Sequence, residues 1–316
     1  MKIVALAGGI GGARFLRGLR AAAPEAEITV VGNTGDDISL FGLRVCPDLD
    51  TVMYTLGGGI NEEQGWGRVD ETFVVKEELG AYGVGPTWFG LGDRDFATHI
   101  VRTQMLEAGY KLSAVTEALC DRWKPGVRLI PMTDDQVETH VVIEDEQGRR
   151  AVHFQEWWVR LRASVPALSI AAVGAEESTP APGVIKAVED ADFVLFPPSN
   201  PVVSIGTILA VPGIRDAIAA KTIVGVSPII GGAPVRGMAD ACLTAIGVET
   251  SARAVAELYG PGLLDGWLVD DADADVRVPG VDVRPRPLLM SDADTTSAIA
   301  QAAIDLALEL RSAEES

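Results

Sequence analysis

The chain opens with a short apolar run, Lys2 to Ala7, that ends in Gly8-Gly9-Ile10-Gly11-Gly12. From Ala13 to Ala23 the apolar residues Phe15, Leu16 and Leu19 recur at helical spacing. Glu27 to Val31 turns apolar again after Pro24, so the start of the chain reads as strand, glycine turn, helix, strand, the opening of a doubly wound α/β unit. Glu71 to Tyr82, the segment after Asp93-Arg94-Asp95, and Lys111 to Trp123 follow as helices, the last stopped by Pro125-Gly126. The period then changes to alternation. Val127 to Met132, Val137 to Ile143 and Arg150 to Trp158 predict strands, the last two joined as a hairpin by an acidic EDEQG turn. Ser169 to Val173 is a further candidate strand, and the unbroken apolar runs Asp192 to Phe196 and Thr222 to Val226 suit strands buried on both faces. Gly237 to Ile246 and Ser251 to Leu258 are helical, Gly266 to Val269 is a short strand, and a final helix covers Thr295 to Arg311. The predicted fold is α/β, a Rossmann-like doubly wound, mostly parallel sheet. Residues 1–60 and 165–316 form the nucleotide-binding core and residues 61–164 an inserted helical and β-hairpin region.

In such a fold the loops at the carboxyl ends of the strands form the site. The stretch VGNTGDDISLFGLRVCPDLD places Asp36, Asp37, Asp48 and Asp50 there, and repelling carboxylates call for a cation of the Mg²⁺ type. The glycine turn half matches a dinucleotide fingerprint. Gly9 and Gly11 are in place, but Arg14 stands at the third glycine position, and the second strand ends in Gly32-Asn33 instead of an acid. Backbone contact with a phosphate at the helix start is the favoured reading, an NAD site a less favoured version of it, and a plain tight turn the structural alternative. Two later turns, PPSNPVVS and SPIIGG, add Ser199, Asn200, Pro201, Ser227 and Pro228 as neutral groups suited to a base, ribose or phosphate. Arg94 and Arg102 are candidate anion-binding cations, while Asp95 also reads as a helix N-cap. His140 and His153 lie on opposite arms of the hairpin without metal spacing and read as packed or surface residues, and the DDADAD run from Asp270 reads as a solvated turn.

A net charge of −19 argues against nucleic acid and anionic membranes as partners but leaves room for a small anion held by local amides and a metal. Three scattered cysteines suggest neither a disulfide framework nor a zinc site, and with no apparent signal peptide or membrane-length apolar run, a reducing cytoplasm is expected. With 47% hydrophobic residues the chain has ample material for a core.

The strings GGIGGARF, GNTGDD, CPDLDTVMYTLGGG, GWG, WFGLGDRDFATHIVRT, HFQEWWVR, PSNPVVSIG and SPIIGGAPVRGMAD, in this order, resemble the 2-phospho-L-lactate transferase family of deazaflavin coenzyme F-420 biosynthesis. The CPDLD, GGARF and tryptophan-rich forms look most like its actinobacterial branch, whose members act as phosphoenolpyruvate transferases. The resemblance implies an Mg²⁺-dependent homodimer that joins the ribitol hydroxyl of the deazaflavin precursor Fo to the acid–phosphate group of enolpyruvyl- or lactyl-diphosphoguanosine, releasing GMP. Asp36, Asp48 and Asp50 are then expected near the metal, with Asp36, Asp37, Asp50 and Arg94 as catalytic candidates. Division of ligand from base among the four aspartates stays open. Gly9, Gly11, Gly12, Asn33, Ser199, Asn200, Pro201, Ser227 and Pro228 are expected along the guanosine diphosphate, and Trp88, Phe89 and Met132 against the flat ring of Fo. Thr207 stands where family members often have proline, at a helix start where the change matters little.

Overall fold

The computed structural model describes residues 1–314. Strand β1 (Lys2–Ala7) runs into helix α1 (Gly9–Ala22), β2 (Glu27–Gly32) returns beside β1, and a ribbon of β3 (Ile38–Leu40) and β4 (Leu43–Val45) leads to α2 (Pro47–Leu56). Helices α3 (Val74–Ala81), α4 (Asp93–Glu107) and α5 (Leu112–Trp123) precede β5 (Arg128–Pro131). Next come β6 (Glu138–Asp145), β7 (Gly148–His153), β8 (Ala167–Val173), α6 (Val184–Asp190), β9 (Phe193–Phe196), α7 (Gly206–Ala210), α8 (Ile214–Ile218) and β10 (Ile223–Val226). A small ribbon, β11 (Ile229–Ile230) and β12 (Ala233–Pro234), is followed by α9 (Ala239–Ala245), α10 (Ala252–Leu258), β13 (Gly266–Val269), β14 (Asp282–Pro285) and the long α11 (Ala293–Glu314).

Seven strands form one sheet in the order β14-β13-β10-β9-β1-β2-β5, and every pairing in it is parallel. The chain builds outward from β1 through β2 to β5, then crosses back to β9 and builds the other way, so the topological switch point lies between β1 and β9. This is the doubly wound, Rossmann-like architecture expected from the alternation of elements. Strand side chains alternate between two buried faces. Ile3, Ala5 and Ala7 of β1 pack with Phe15, Leu16 and Leu19 of α1 and with α2, α5 and α11, whereas Val4 and Leu6 pack with Val184 and Val188 of α6 and with α7, α8 and α10.

Two expected boundaries shift. Strand β5 lies within 61–164 yet pairs with β2 in the main sheet, as its apolar Leu129 and Ile130 on opposite faces require. Strand β8 lies beyond residue 164 yet pairs antiparallel with β6, completing the three-stranded sheet β7-β6-β8. The strand predicted to run to Trp158 stops at His153, and Glu156–Arg160 winds into a single π turn. Helix α1 starts at Gly9 instead of Ala13 because its glycines let the first turn press against the chain leaving β9. A Cβ at Gly11 would collide with the Pro198 carbonyl oxygen, and one at Gly12 with Ser199 Oγ. Among the described residues no helix is long and apolar enough to cross a membrane.

Helix α11 closes one face by lying on α1, with Gly18 against its first turns. A Cβ at Gly18 would stand 2.5 Å from the Thr296 carbonyl oxygen. Gly18→Val recovers little helix propensity and forces the two helices apart, at a cost of about 1–3 kcal/mol. A lower urea midpoint with an unchanged slope is expected; an unchanged midpoint would mean that α11 does not seat there.

Candidate active site

The carboxyl ends of β1, β2 and β9 open into a cavity of about 640 Å³ at the switch point. Its floor is built around one side chain. Asn33, fully buried just after β2, donates through Nδ2 to Asp48 Oδ2 at 2.8 Å, to the Val203 carbonyl at 3.1 Å and more weakly to Asp36 Oδ1 at 3.4 Å. Its Oδ1 accepts the Gly35 N–H at 3.0 Å, which fixes the turn carrying Asp36. Asp48 reaches across to the start of α1, where its Oδ1 accepts the Gly9 N–H at 2.8 Å. Gly9 has φ +66°, a conformation that glycine adopts without strain, and a Cβ on Gly8 would collide with Asp48 Oδ2. Ser199 holds the other side of this turn, accepting from Gly8 N at 3.2 Å and donating to Gly8 O at 2.9 Å.

The four aspartates divide by charge partner. Asp37 is off the cavity wall and neutralised: its Oδ2 accepts from Arg44 Nη2 at 3.1 Å and from the Cys46 thiol at 3.0 Å. Burial still outweighs Arg44 and lifts its pKa to about 6. Asp50 lines the cavity, and its Oδ1 is bound by the buried Arg102. Arg102 also donates to His99 Nδ1 at 3.0 Å, so the ring proton sits on Nε2, which faces Asp95 Oδ2 at 3.2 Å. Asp95 Oδ1 accepts from Tyr54 at 2.6 Å, and Asp95 is therefore an interior acceptor where an N-cap was an alternative; Gly92 caps α4. Asp50 Oδ2 is buried without a hydrogen-bond partner.

Among the described residues no cation stands beside Asp36 or Asp48. Burial, then the charge of Asp48, holds Asp36 well above the usual carboxylate range, against hydrogen bonds from Asn33 and Gln155; burial lifts Asp48 to about 6. Among the described residues no three His, Cys, Asp or Glu side chains converge as a metal set, so the expected trio of Asp36, Asp48 and Asp50 is not brought together, Asp50 being turned to Arg102. Two carboxylates with no cation of their own still fit Mg²⁺, which takes one or two protein carboxylates and completes its shell with water and ligand phosphate oxygens.

Gly9, Gly11, Ser199, Asn200, Ser227 and Pro228 all face the cavity. Gly12, Asn33 and Pro201 lie behind its wall, and Asn200 caps the turn after it by accepting from the Val202 and Val203 amides. Three expectations fail on position. Met132, just past β5, is fully buried off the cavity wall, packed with Val4, Leu6 and Val31 in the core under the sheet face that carries α6, α7, α8 and α10. Trp88 stacks edge-on behind Phe89, which does line the cavity. Arg94 is exposed off the wall, with only its backbone engaged, by Glu71 and Arg68. The aromatic wall is instead Trp66, Phe89, Phe154 and Trp158; the GWG and HFQEWWVR strings contained the unread signal.

The sequence matches the family described as 2-phospho-L-lactate transferase CofD over residues 3–283. It is 76% identical to "Phosphoenolpyruvate transferase" of Thermobifida fusca (strain YX), covering 98% of this chain and 99% of that one. It is 73% identical to the protein of that name from Streptomyces coelicolor, over 99% and 100%, and 60% identical to that of Nocardia farcinica, over 97% and 95%. A crystal structure of a Bacillus halodurans protein superposes with a TM-score of 0.63 over 96% of this chain and 99% of that one, at 17% identity, a likeness of fold.

An acid whose pKa is higher in the folded than in the unfolded chain favours folding only while protonated. The contribution of Asp48 is thus complete below about pH 4 and lost as pH rises through about 6. That of Asp36, which burial and the Asp48 charge hold well above the usual carboxylate range, is likewise complete below about pH 4 and lost only as pH rises through its own raised pKa. Asp36→Asn keeps an acceptor toward Asn33 and removes the charge. In metal-free buffer at about pH 8 it should stabilise the protein, seen as a higher unfolding temperature than the parent's, with the gain vanishing near pH 4. A variant less stable than the parent at about pH 8 would contradict this.

Proposed function

The chain belongs to the 2-phospho-L-lactate transferase CofD family, and on that premise we propose that it transfers the phosphoenolpyruvyl group of enolpyruvyl-diphosphoguanosine to the ribitol hydroxyl of Fo, with release of GMP. The observation that carries this reading is the pair of buried carboxylates, Asp36 and Asp48, left without a cation at the switch point beside the start of α1. Such a pair suits a ligand that arrives with a divalent ion and several phosphate oxygens. The names of the similar proteins favour phosphoenolpyruvyl over phospholactyl as the group transferred.

In the reaction so assigned, Asp36 and Asp48 would hold Mg²⁺, with Asn33 fixing the direction of both carboxylates. Mg²⁺, when bound, supplies neutralisation of the diphosphate and of the charge that builds on the bridging oxygen as GMP leaves. Asp50 stands apart from this pair. Arg102 holds its Oδ1, and we assign the Asp50 carboxylate, on the cavity wall, to orient the attacking hydroxyl toward phosphorus. Ser227, Pro228 and Asn200 form the side of the cavity assigned to guanosine, and Trp66, Phe89, Phe154 and Trp158 the wall against which the flat deazaflavin packs while water is excluded. Residues from the segment 61–164 thus close over Fo, and the homodimer implied by the resemblance is part of the same proposal.

The test is to mix the protein with Fo, Mg²⁺ and either enolpyruvyl- or lactyl-diphosphoguanosine, and to follow GMP together with the phospho-acid ester of Fo. Both products are expected from the enolpyruvyl conjugate. Turnover of the lactyl conjugate alone would overturn the donor, and no GMP from either would overturn the transferase reading.

A further inference from the structure

In a protein of net charge −19, the cavity wall carries two arginines that pair with no carboxylate among the described residues. Arg14 lies on α1, and Arg236 on the segment between β12 and α9. The carboxylate whose charge acts on Arg14 is that of Glu62, but it is held by Arg17 at 2.5 Å, and Arg14 Nη2 reaches only the Glu62 backbone carbonyl, at 3.5 Å. Among the described residues neither Arg14 nor Arg236 forms an ion pair. The two guanidinium groups are near enough to repel: burial first, then Arg236, lowers the pKa of Arg14. Arg236 Nη1 lies over Gly65, beside Trp66, and both arginines line the cavity with Trp66. Two like charges kept together on a cavity wall are stabilised by an anion between them.

Resting on the transferase reading, we propose that Arg14 and Arg236 form a carboxylate subsite that grips the acid group of the three-carbon moiety and thereby selects a donor bearing a free carboxylate. Position supports this assignment. Arg14 is five residues beyond Gly9, about 7.5 Å along α1 from the amide that Asp48 occupies. The reacting phosphorus belongs at the aspartate end, and the carboxylate, a few bonds from it, reaches the arginine end. Planar guanidinium groups match a carboxylate in two parallel hydrogen bonds, a geometry that lysine does not supply. The diphosphate does not need these cations if Asp36 and Asp48 hold its metal.

The experiment is calorimetric binding without Fo, so that no turnover occurs, of GDP and of enolpyruvyl-diphosphoguanosine, each with Mg²⁺, to the parent, Arg236→Gln and Arg14→Gln. Thermal unfolding checks that each variant is folded. Each substitution should raise the dissociation constant of the enolpyruvyl conjugate by about tenfold to a hundredfold, the scale of a lost charge-assisted hydrogen bond, and leave that of GDP, which has no carboxylate, within about twofold. Equal weakening of both ligands would overturn the subsite, since the arginines would then serve the phosphates. Unchanged binding of both would overturn it as well, leaving the transferase reading intact. A parent protein that binds neither ligand would overturn that reading and this one together.

Discussion

Much of the site depends on one amide group. Asn33 has two N–H bonds to give, and its Nδ2 lies within reach of Asp48, Asp36 and a backbone carbonyl, so it directs both carboxylates without neutralising either. A lysine or arginine there would satisfy the charges and close the site to a metal. An apolar residue would leave two buried acids repelling without direction. The neutral donor keeps the pair aligned and short of positive charge, and that shortage is what a metal-bound diphosphate would relieve.

The surrounding fold serves this arrangement. The switch point brings the ends of β1 and β9 together, Ser199 clamps the Gly8 backbone, and glycines at the start of α1 admit Asp48 to the first helical turn. The carboxylate takes the place at the helix terminus where a phosphate often sits, and the positive end of the helix dipole stabilises it there. Asp37 and Asp50 show the contrasting solution, each tied to its own arginine. A crowded acidic stretch is thereby divided into two neutralised carboxylates and two that await a cation. The strain of the waiting pair is a stability cost tolerated at a working site.

Six of the seven main-sheet strands and the doubly wound order were legible from apolar runs and turn residues, because buried parallel strands and glycine turns leave strong local patterns. The edge strand β14 and the short α2 that carries Asp48 and Asp50 were not. What stayed hidden depended on contacts between distant segments. Nothing near Asp50 in sequence announces Arg102, and nothing near Asp36 separates it from Asp37 except which of them Arg44 reaches. Met132 and Trp88 looked like ring-binding residues because apolar character does not say where a side chain lands: Met132, just past β5, packs into the core, and Trp88, in the loop before α4, sits behind Phe89. Trp158 was hidden by an alternating pattern that ends in a π turn, which carries it to the cavity wall.

The central claim is that Asp36 and Asp48 hold protons which a divalent cation displaces. Calorimetric titration of the ligand-free protein with Mg²⁺ near pH 6, in buffers of differing ionisation enthalpy, measures this directly. The account predicts proton release on binding near pH 6 that is reduced in Asp48→Asn. Mg²⁺ binding with no proton exchange near pH 6, or with release unaltered by that substitution, would contradict it.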